Sequence, residues 1–294
     1  MTDSVGYTQG EGAQIATDEI GGVMFQRVKL IHGADGVNAG DVAATNPLPV
    51  TDYPYALMLA RGLVPNNVAV KKFGRNPDID VGSEDIWSQG GNWVAPTAAR
   101  VHAIASSNAE DGGAGTDTGA LTVSVNGLNA SYADTTETVV LNGTTPVNTA
   151  NSYVIIHRMI VLTAGSAGAN VGTITATAAA PDSTVSCAVV IGKNQTQFCI
   201  YQVPAGYTGY MWRFGGSMNG GANANVDLEL FAKPFGGVFN LKGTINITTG
   251  AGAVSREYNT PQAFTEKTIL KIRGSSDTVN SNVVGNFDLT LVAN

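Results

Sequence analysis

Residues 226–231 read Val226-Asp227-Leu228-Glu229-Leu230-Phe231. Aliphatic side chains alternate with carboxylates. A period of two places Val226, Leu228 and Leu230 on one face of an extended chain and both acids on the other. That is a half-buried strand, and the same style recurs outward in both directions. Toward the N-terminus, Leu121, Val123 and Val125 alternate with Thr122 and Ser124. Further β-rich runs cover 100–105, 137–141, 153–162, 171–176, 184–191, 197–203, 209–214, 237–247, 268–273 and 287–292. Gly, Asn, Asp and Pro stand between them. Short, regularly spaced strands punctuated by turn residues predict an all-β chain: an antiparallel β-sandwich or jelly-roll.

Helix is expected to be scarce. Its best candidate is 55–61, Tyr-Ala-Leu-Met-Leu-Ala-Arg, closed by Gly62 as a C-cap, although the same run also suits a buried strand. Residues 1–22 are polar and Gly-rich, a short strand is expected over 23–31, and Pro47 and Pro49 hold the chain extended. Small residues followed by Pro181-Asp182 suggest a boundary. The predicted organisation is an extended N-terminal arm over 1–60, a β-sandwich domain over 61–182 and a second over 183–294. No internal repeat of fixed period is present.

Composition removes several classes of function. Only 13% of the 294 residues are charged, about half the usual share, and the formal net charge is −7. A nucleic-acid binder shows a basic face or tail, and none is visible. Three His and two Cys offer little for a His- or Cys-rich metal site. No apolar run approaches the roughly 20 residues of a membrane helix, and the polar start MTDSVGYTQGEG does not read as a signal peptide. Neither metal, cofactor, nucleic acid nor membrane is expected as a partner.

Several residues carry chemistry that could be functional. The acidic stretch 76–85 could offer oxygen ligands to Ca²⁺, but it misses the EF-hand spacing and reads better as a solvated turn. Gly112 to Gly119 lacks the ending of a phosphate loop and reads as a hairpin loop. His102 and His157 fall inside strand runs and read as half-buried sheet residues, and no triad signature accompanies them or His32. Glu110, Asp111, Asp134, Glu137, Asp227 and Glu229 could supply a glycosidase pair, yet nothing selects one. Trp212 sits in an apolar run and is expected in the core; Trp87 and Trp93 flank a Gly-rich loop and suit an interface or core more than a sugar platform. Cys187 and Cys199 could meet in a hairpin, but free, packed thiols fit better where no secretion signal is read. No catalytic residue is assigned, and the chain is not expected to be an enzyme.

A family resemblance covers nearly the whole chain. The arm FQRVKLIHGADGVNAGDVAATNPLPV (25–50) resembles the N-terminal segment of tailed-bacteriophage virion proteins. RNPDIDVGSEDIW (75–87) and LNGTTPVNTANSYVIIHRMIVLTAGSAGANVGTITA (141–176) resemble structural proteins of marine and freshwater phages, cyanophages among them. So do IYQVPAGYTGYM (200–211), FTEKTILKIRG (264–274) and NFDLTLV (286–292). These motifs are turns and strands, and they carry over no catalytic residue. The resemblance implies a virion component assembled in the host cytoplasm. The first expectation is a capsid decoration (cement) protein, a small homo-oligomer bound to the major capsid protein or another virion protein. Its arm would bind through Phe25, Arg27, Lys29, Leu48 and Pro49, a stretch able to add to a neighbouring sheet edge. The alternative is a tail-fibre or baseplate component touching host glycans; a polysaccharide depolymerase comes third, lacking a visible carboxylate pair.

Overall fold

The structure, a computed structural model, describes residues 17–26, 54–219 and 224–294. The chain divides into two compact units, Met1–Pro54 and Tyr55–Asn294. In the first, β1 (Thr17–Ile20) and β2 (Val23–Gln26) pair antiparallel. Gly21 and Gly22 connect them with φ of +62° and +82°, the backbone that a two-residue type I′ turn demands. The strand expected from Val23 onward is therefore one arm of a hairpin.

The second unit opens with α1 (Tyr55–Ala60), so the run that suited either helix or strand is helical. Gly62, at φ +69°, ends it. Its N–H donates to Leu59 O and the N–H of Leu63 to Met58 O, at 3.0 and 2.9 Å, which is the Schellman arrangement. Strands follow. They begin with β3 (Asn67–Ile79), β4 (Glu84–Asp85), β5 (His102–Ser106), β6 (Ala120–Leu128), β7 (Asp134–Val140) and β8 (Val147–Asn148). Next come β9 (Ile155–Ala164), β10 (Ile174–Ala178), β11 (Val185–Val189), β12 (Ile200–Gln202), β13 (Tyr207–Asn219) and β14 (Asn225–Lys233). The last are β15 (Asn240–Thr248), β16 (Ala253–Phe264), β17 (Ile269–Ser276) and β18 (Ser281–Ala293). Among the described residues strands dominate and α1 is the one helix, so the fold is all-β, and every described pairing is antiparallel.

Four larger sheets result. The orders β11-β10-β5-β8 and β7-β6-β9 share one apolar cluster, with Ile104, Ile174 and Val189 from the first and Val123, Val125 and Ile156 from the second. The orders β12-β17-β14-β15 and β16-β13-β18-β3 share a larger one. Leu228, Leu230 and Ile272 enter it from the first of these sheets, and Phe214, Phe287 and Leu289 from the second. Each fully buried side chain of this kind contributes about 1.5–3 kcal/mol. The short β4 pairs with β17 in the first of these sheets. In this second pair every connection crosses from one sheet to the other except the β14–β15 hairpin, and β3 and β4 are separated from β12 by the whole of the first pair. A third cluster of Trp87, Trp93, Leu128, Ile155, Phe198 and Ile200 takes residues from both pairs.

The alternation in 226–230 is visible as burial. Val226, Leu228 and Leu230 are fully buried, whereas Asp227 is exposed. The division expected near residue 182 falls between β10 and β11, which are hydrogen-bonded neighbours with Ile174 opposite Val189. Their turn is held by Arg100 Nε to Asp182 Oδ2 at 2.7 Å. β3, expected with the first domain, pairs along its length with β18 at the far end of the chain. β3 also passes hard against the crossing chain: a Cβ at Gly74 would strike Ile86 O and Cys199 N.

Candidate functional site

Four of the six candidate carboxylates, Glu110, Asp111, Glu137 and Asp227, are bound into turns and sheets. Asp111 is fully buried and accepts four hydrogen bonds. Oδ1 takes the N–H groups of Ala120 and Val171 at 2.7 and 2.9 Å. Oδ2 takes the N–H of Gly172 at 2.7 Å and the hydroxyl of Ser106 at 2.6 Å. This carboxylate ties the entry of β6 to the end of β5 and the start of β10. Glu137 accepts from Ala150 N, Asn151 N and the Tyr153 hydroxyl, the last at 2.7 Å; burial, reinforced by this carboxylate, holds the phenol above its ordinary pKa. Glu110 accepts from Thr118. Asp227 accepts from Asn246 Nδ2.

The acidic stretch 76–85 is the solvated turn expected of it only at its middle, where Asp80, Val81 and Gly82 are exposed. Its first residues continue β3, and Asn76 is fully buried. Asp85 is fully buried as well and meets Lys271 Nζ at 2.8 Å, with Arg273 Nε at 3.4 Å and the N–H of Trp93 at 2.8 Å. Burial pushes the Asp85 carboxyl above the usual range, while Lys271 and Arg273 pull against that shift. Among the described residues no cluster of His, Cys, Asp and Glu is arranged to hold a metal ion.

His102 and His157 are more buried than expected. His102 is wholly enclosed, its Nδ1 2.9 Å from Arg100 O and its Nε2 2.9 Å from Ser186 Oγ. A carbonyl can only accept, so Nδ1 carries the proton and Nε2 takes the serine hydroxyl. His157 lies at 4.3 Å from the Tyr201 ring, and burial holds its pKa well below the ordinary value. Lys72, on β3, buries its amine against His157 O at 2.6 Å and over the Phe198 ring. Desolvation, with Arg158 nearby, lowers its pKa to about 7. Cys187 and Cys199 are free and buried, in two different core clusters, and burial raises both thiols.

Trp87 and Trp93 are buried, edge-on to Phe198. Trp212 reverses the expectation of a core residue: it is 41% exposed. The cause is a bulge. Met211 and Arg213 have partners in both neighbouring strands and Trp212 has none in either register. Met211 and Phe214 point into the core, which leaves two consecutive side chains, Trp212 and Arg213, on the outer face.

The surface that stands out for contact is the β14–β15 turn. Residues 234–242, Pro-Phe-Gly-Gly-Val-Phe-Asn-Leu-Lys, are all exposed, with Phe235 at 63%, Val238 at 71% and Leu241 at 52%. Phe235 meets Tyr132, from the β6–β7 turn, edge to face at 5.6 Å. Lys267 Nζ caps both rings at 5.2 and 5.4 Å, and Lys233 and Lys271 cap Phe239. A cavity of about 280 Å³ lies here, lined by Pro96, Tyr132, Gln202, Phe235 and Ile269. The sequence reading placed 237–247 in a strand run, which hid Val238, Phe239 and Leu241 as contact surface; the available signal was three large apolar residues within four positions, beside Phe235. Of the anchor residues predicted in the arm, Phe25 lies in β2 opposite Asp18. Arg27, Lys29, Leu48 and Pro49 lie outside the described residues.

No family model and no curated protein matches the chain. Among solved structures it is similar to the infectious bursal disease virus VP2 subviral particle, at 10% identity over 82% of this chain and 77% of that one, with a TM-score of 0.21. It is also similar to the infectious bursal disease virus Gt strain structure, at 10% identity over 82% of each chain, with a TM-score of 0.18. Superpositions this loose establish neither fold nor role, and neither structure comes from a phage.

Proposed function

We propose that this chain is a non-enzymatic virion structural protein with a jelly-roll body. The strand order supports the jelly-roll. The sheet β12-β17-β14-β15, to which the two-residue β4 adds beside β17, and the four-stranded sheet β16-β13-β18-β3 are linked by crossings at every step but one, the pattern of two interlocked Greek keys. The other two sheets, β11-β10-β5-β8 and β7-β6-β9, are then an inserted β-sandwich between β4 and β12. Such a fold serves capsid and lectin domains alike, so the role is argued from the surface.

The observation that carries the role is the exposed apolar turn at 234–242 beside Tyr132. Contiguous apolar surface of this kind marks a protein contact. In our reading the turn packs on a second copy of the chain, and the arm, through Phe25, Arg27, Lys29, Leu48 and Pro49, anchors the oligomer to the major capsid protein as a cement. Binding to the assembled shell but not to free subunits would stabilise the shell by mass action. Quantitative band intensity in purified virions tests this. A ratio to the major capsid protein near one to one, or one to a small integer, is expected. A ratio below a few per cent would remove the cement role and move the arm's partner to the tail.

A further inference from the structure

We propose that the apolar turn at 234–242 of one copy seats on a pair of acidic loops at the opposite end of β14 in another copy. This rests on the self-association proposed above and names the surface that the turn meets.

The two ends of β14 differ in charge. At its C-terminal end, Lys233 and the exposed Lys242 bracket Phe235, Val238 and Leu241, and Lys267 caps the Phe235 ring. Glu266, 3.6 Å from Lys267, and Asp134, two residues past Tyr132, offset only part of this charge. At the N-terminal end of β14 two loops meet. The Ser276 N–H donates to Asp80 O at 3.2 Å, and the Asn280 N–H donates to Asp80 Oδ1 at 3.0 Å. Asp277 accepts the Asn225 N–H at 2.8 Å and Asn225 Nδ2 at 2.6 Å, which ties the second loop to the start of β14. Those bonds hold the Asp277 carboxyl below its ordinary range, so it stays charged. Asp78, Asp80, Asp227 and Asp277 are all exposed here, and so are Val81 at 70% and Val279 at 61%. Two neighbouring cations are already engaged. Arg75 donates to Asn282, and Arg273 is held by Ser83 O, Asn92 and Asp85. Each end of β14 thus joins exposed apolar side chains to one sign of charge.

Distance and symmetry decide how these ends can meet. β14 holds them about 27 Å apart, at ~3.4 Å a residue, so they cannot touch within one copy. A two-fold contact centred on the turn would set the turn against itself. Lys233, Lys242 and Lys267 would then face their own counterparts, and like charges set together across an interface oppose it. Seated on the acidic end instead, the same lysines meet Asp78, Asp80 and Asp277, while Val81 and Val279 cover part of the apolar turn. A second copy can offer that end in a ring, or in an antiparallel pair that makes both contacts at once.

Sedimentation velocity of the full-length chain tests this. The native chain is expected as an oligomer whose association weakens as salt is raised. Asp78→Lys with Val279→Lys, at two exposed positions of the acidic end, is expected to weaken association about tenfold or more. Lys233→Glu with Lys242→Glu should do the same from the turn. Mixed one to one, the two double variants are expected to associate again, because each brings the native end that the other lacks. If the acidic-end variant fails to fold, Val81→Lys takes its place. An acidic-end variant that sediments like the native chain overturns the proposal and leaves self-association through the turn standing. Folded variants that stay monomeric when mixed also overturn it. A native chain that is monomeric overturns both readings.

Discussion

Asp111 shows how one buried carboxylate can serve architecture instead of chemistry. Three backbone N–H groups and a hydroxyl converge on it. Removing it strands four buried donors, each costing about 1–3 kcal/mol when unpaired. Asp111→Ala is therefore expected to lose about 3 kcal/mol or more by denaturant unfolding, well beyond an exposed acid such as Asp227→Ala. The buried bases set a pH dependence. His102 and His157 have folded pKa values below their unfolded 6.5, so the unfolded chain binds more protons as pH falls through 6.5, and stability drops on the acid side. Lys72 works in another window. Its folded pKa near 7 lies below its unfolded 10.5, so the native state sheds the proton first and stability rises from about pH 7 toward 10.5. Melting temperatures across this range should climb, and Lys72→Met should flatten the alkaline part; an unchanged slope in that variant would contradict the assignment.

At the scale of elements, the sequence was clearest for strands with a neighbour on both sides or a firm apolar face. Each of the twelve strand runs read between residues 100 and 292 contains or overlaps a strand of the structure, and the strand expected from Val23 overlaps β2. Two long strands escaped notice, β3 and β16, and both lie at sheet edges. β3 carries Lys71, Lys72, Arg75 and Pro77; β16 carries Arg256, Glu257 and Pro261. Charge and proline are what an edge tolerates and a central strand does not, so the features that hid these strands reflect their position. Gly74 in β3 has no room for a methyl group, and Gly74→Ala is expected to destabilise by about 3 kcal/mol, read from denaturant midpoints. The β14–β15 turn behaves oppositely. Val238→Asp, at 71% exposure, should change stability by no more than about 0.5 kcal/mol. Under the proposed self-association, sedimentation should find the native chain as an oligomer and this variant as a monomer.

For the molecule as a whole, the cluster around Phe198 couples the two pairs of sheets. Trp87, Trp93 and Ile200 meet Leu128 and Ile155 there. Phe198→Ala should cost about 3–5 kcal/mol. It should also split one cooperative calorimetric transition into two, because each pair keeps its own core once the shared one is weakened. A single, uniformly shifted transition would mean that the pairs are coupled by more than this cluster.

Local pattern alone determined the strand content, the face each strand buries, the glycine stop after α1 and the scarcity of helix. All of these depend on residues within a few positions of one another, where period and turn chemistry act directly. Tertiary structure decided the rest. Which strands became neighbours depended on contacts such as β3 with β18, more than two hundred residues apart, and no local period encodes them. The bulge at Trp212 turned an apolar run inside out at one position, because the registers with β16 and β18 skip that residue. Asp85 and Asp111 read as turn acids in the sequence, and nothing there singled out Lys72. They are buried because distant segments bring them counter-charges, carbonyls and N–H groups, and only those partners make the desolvation tolerable.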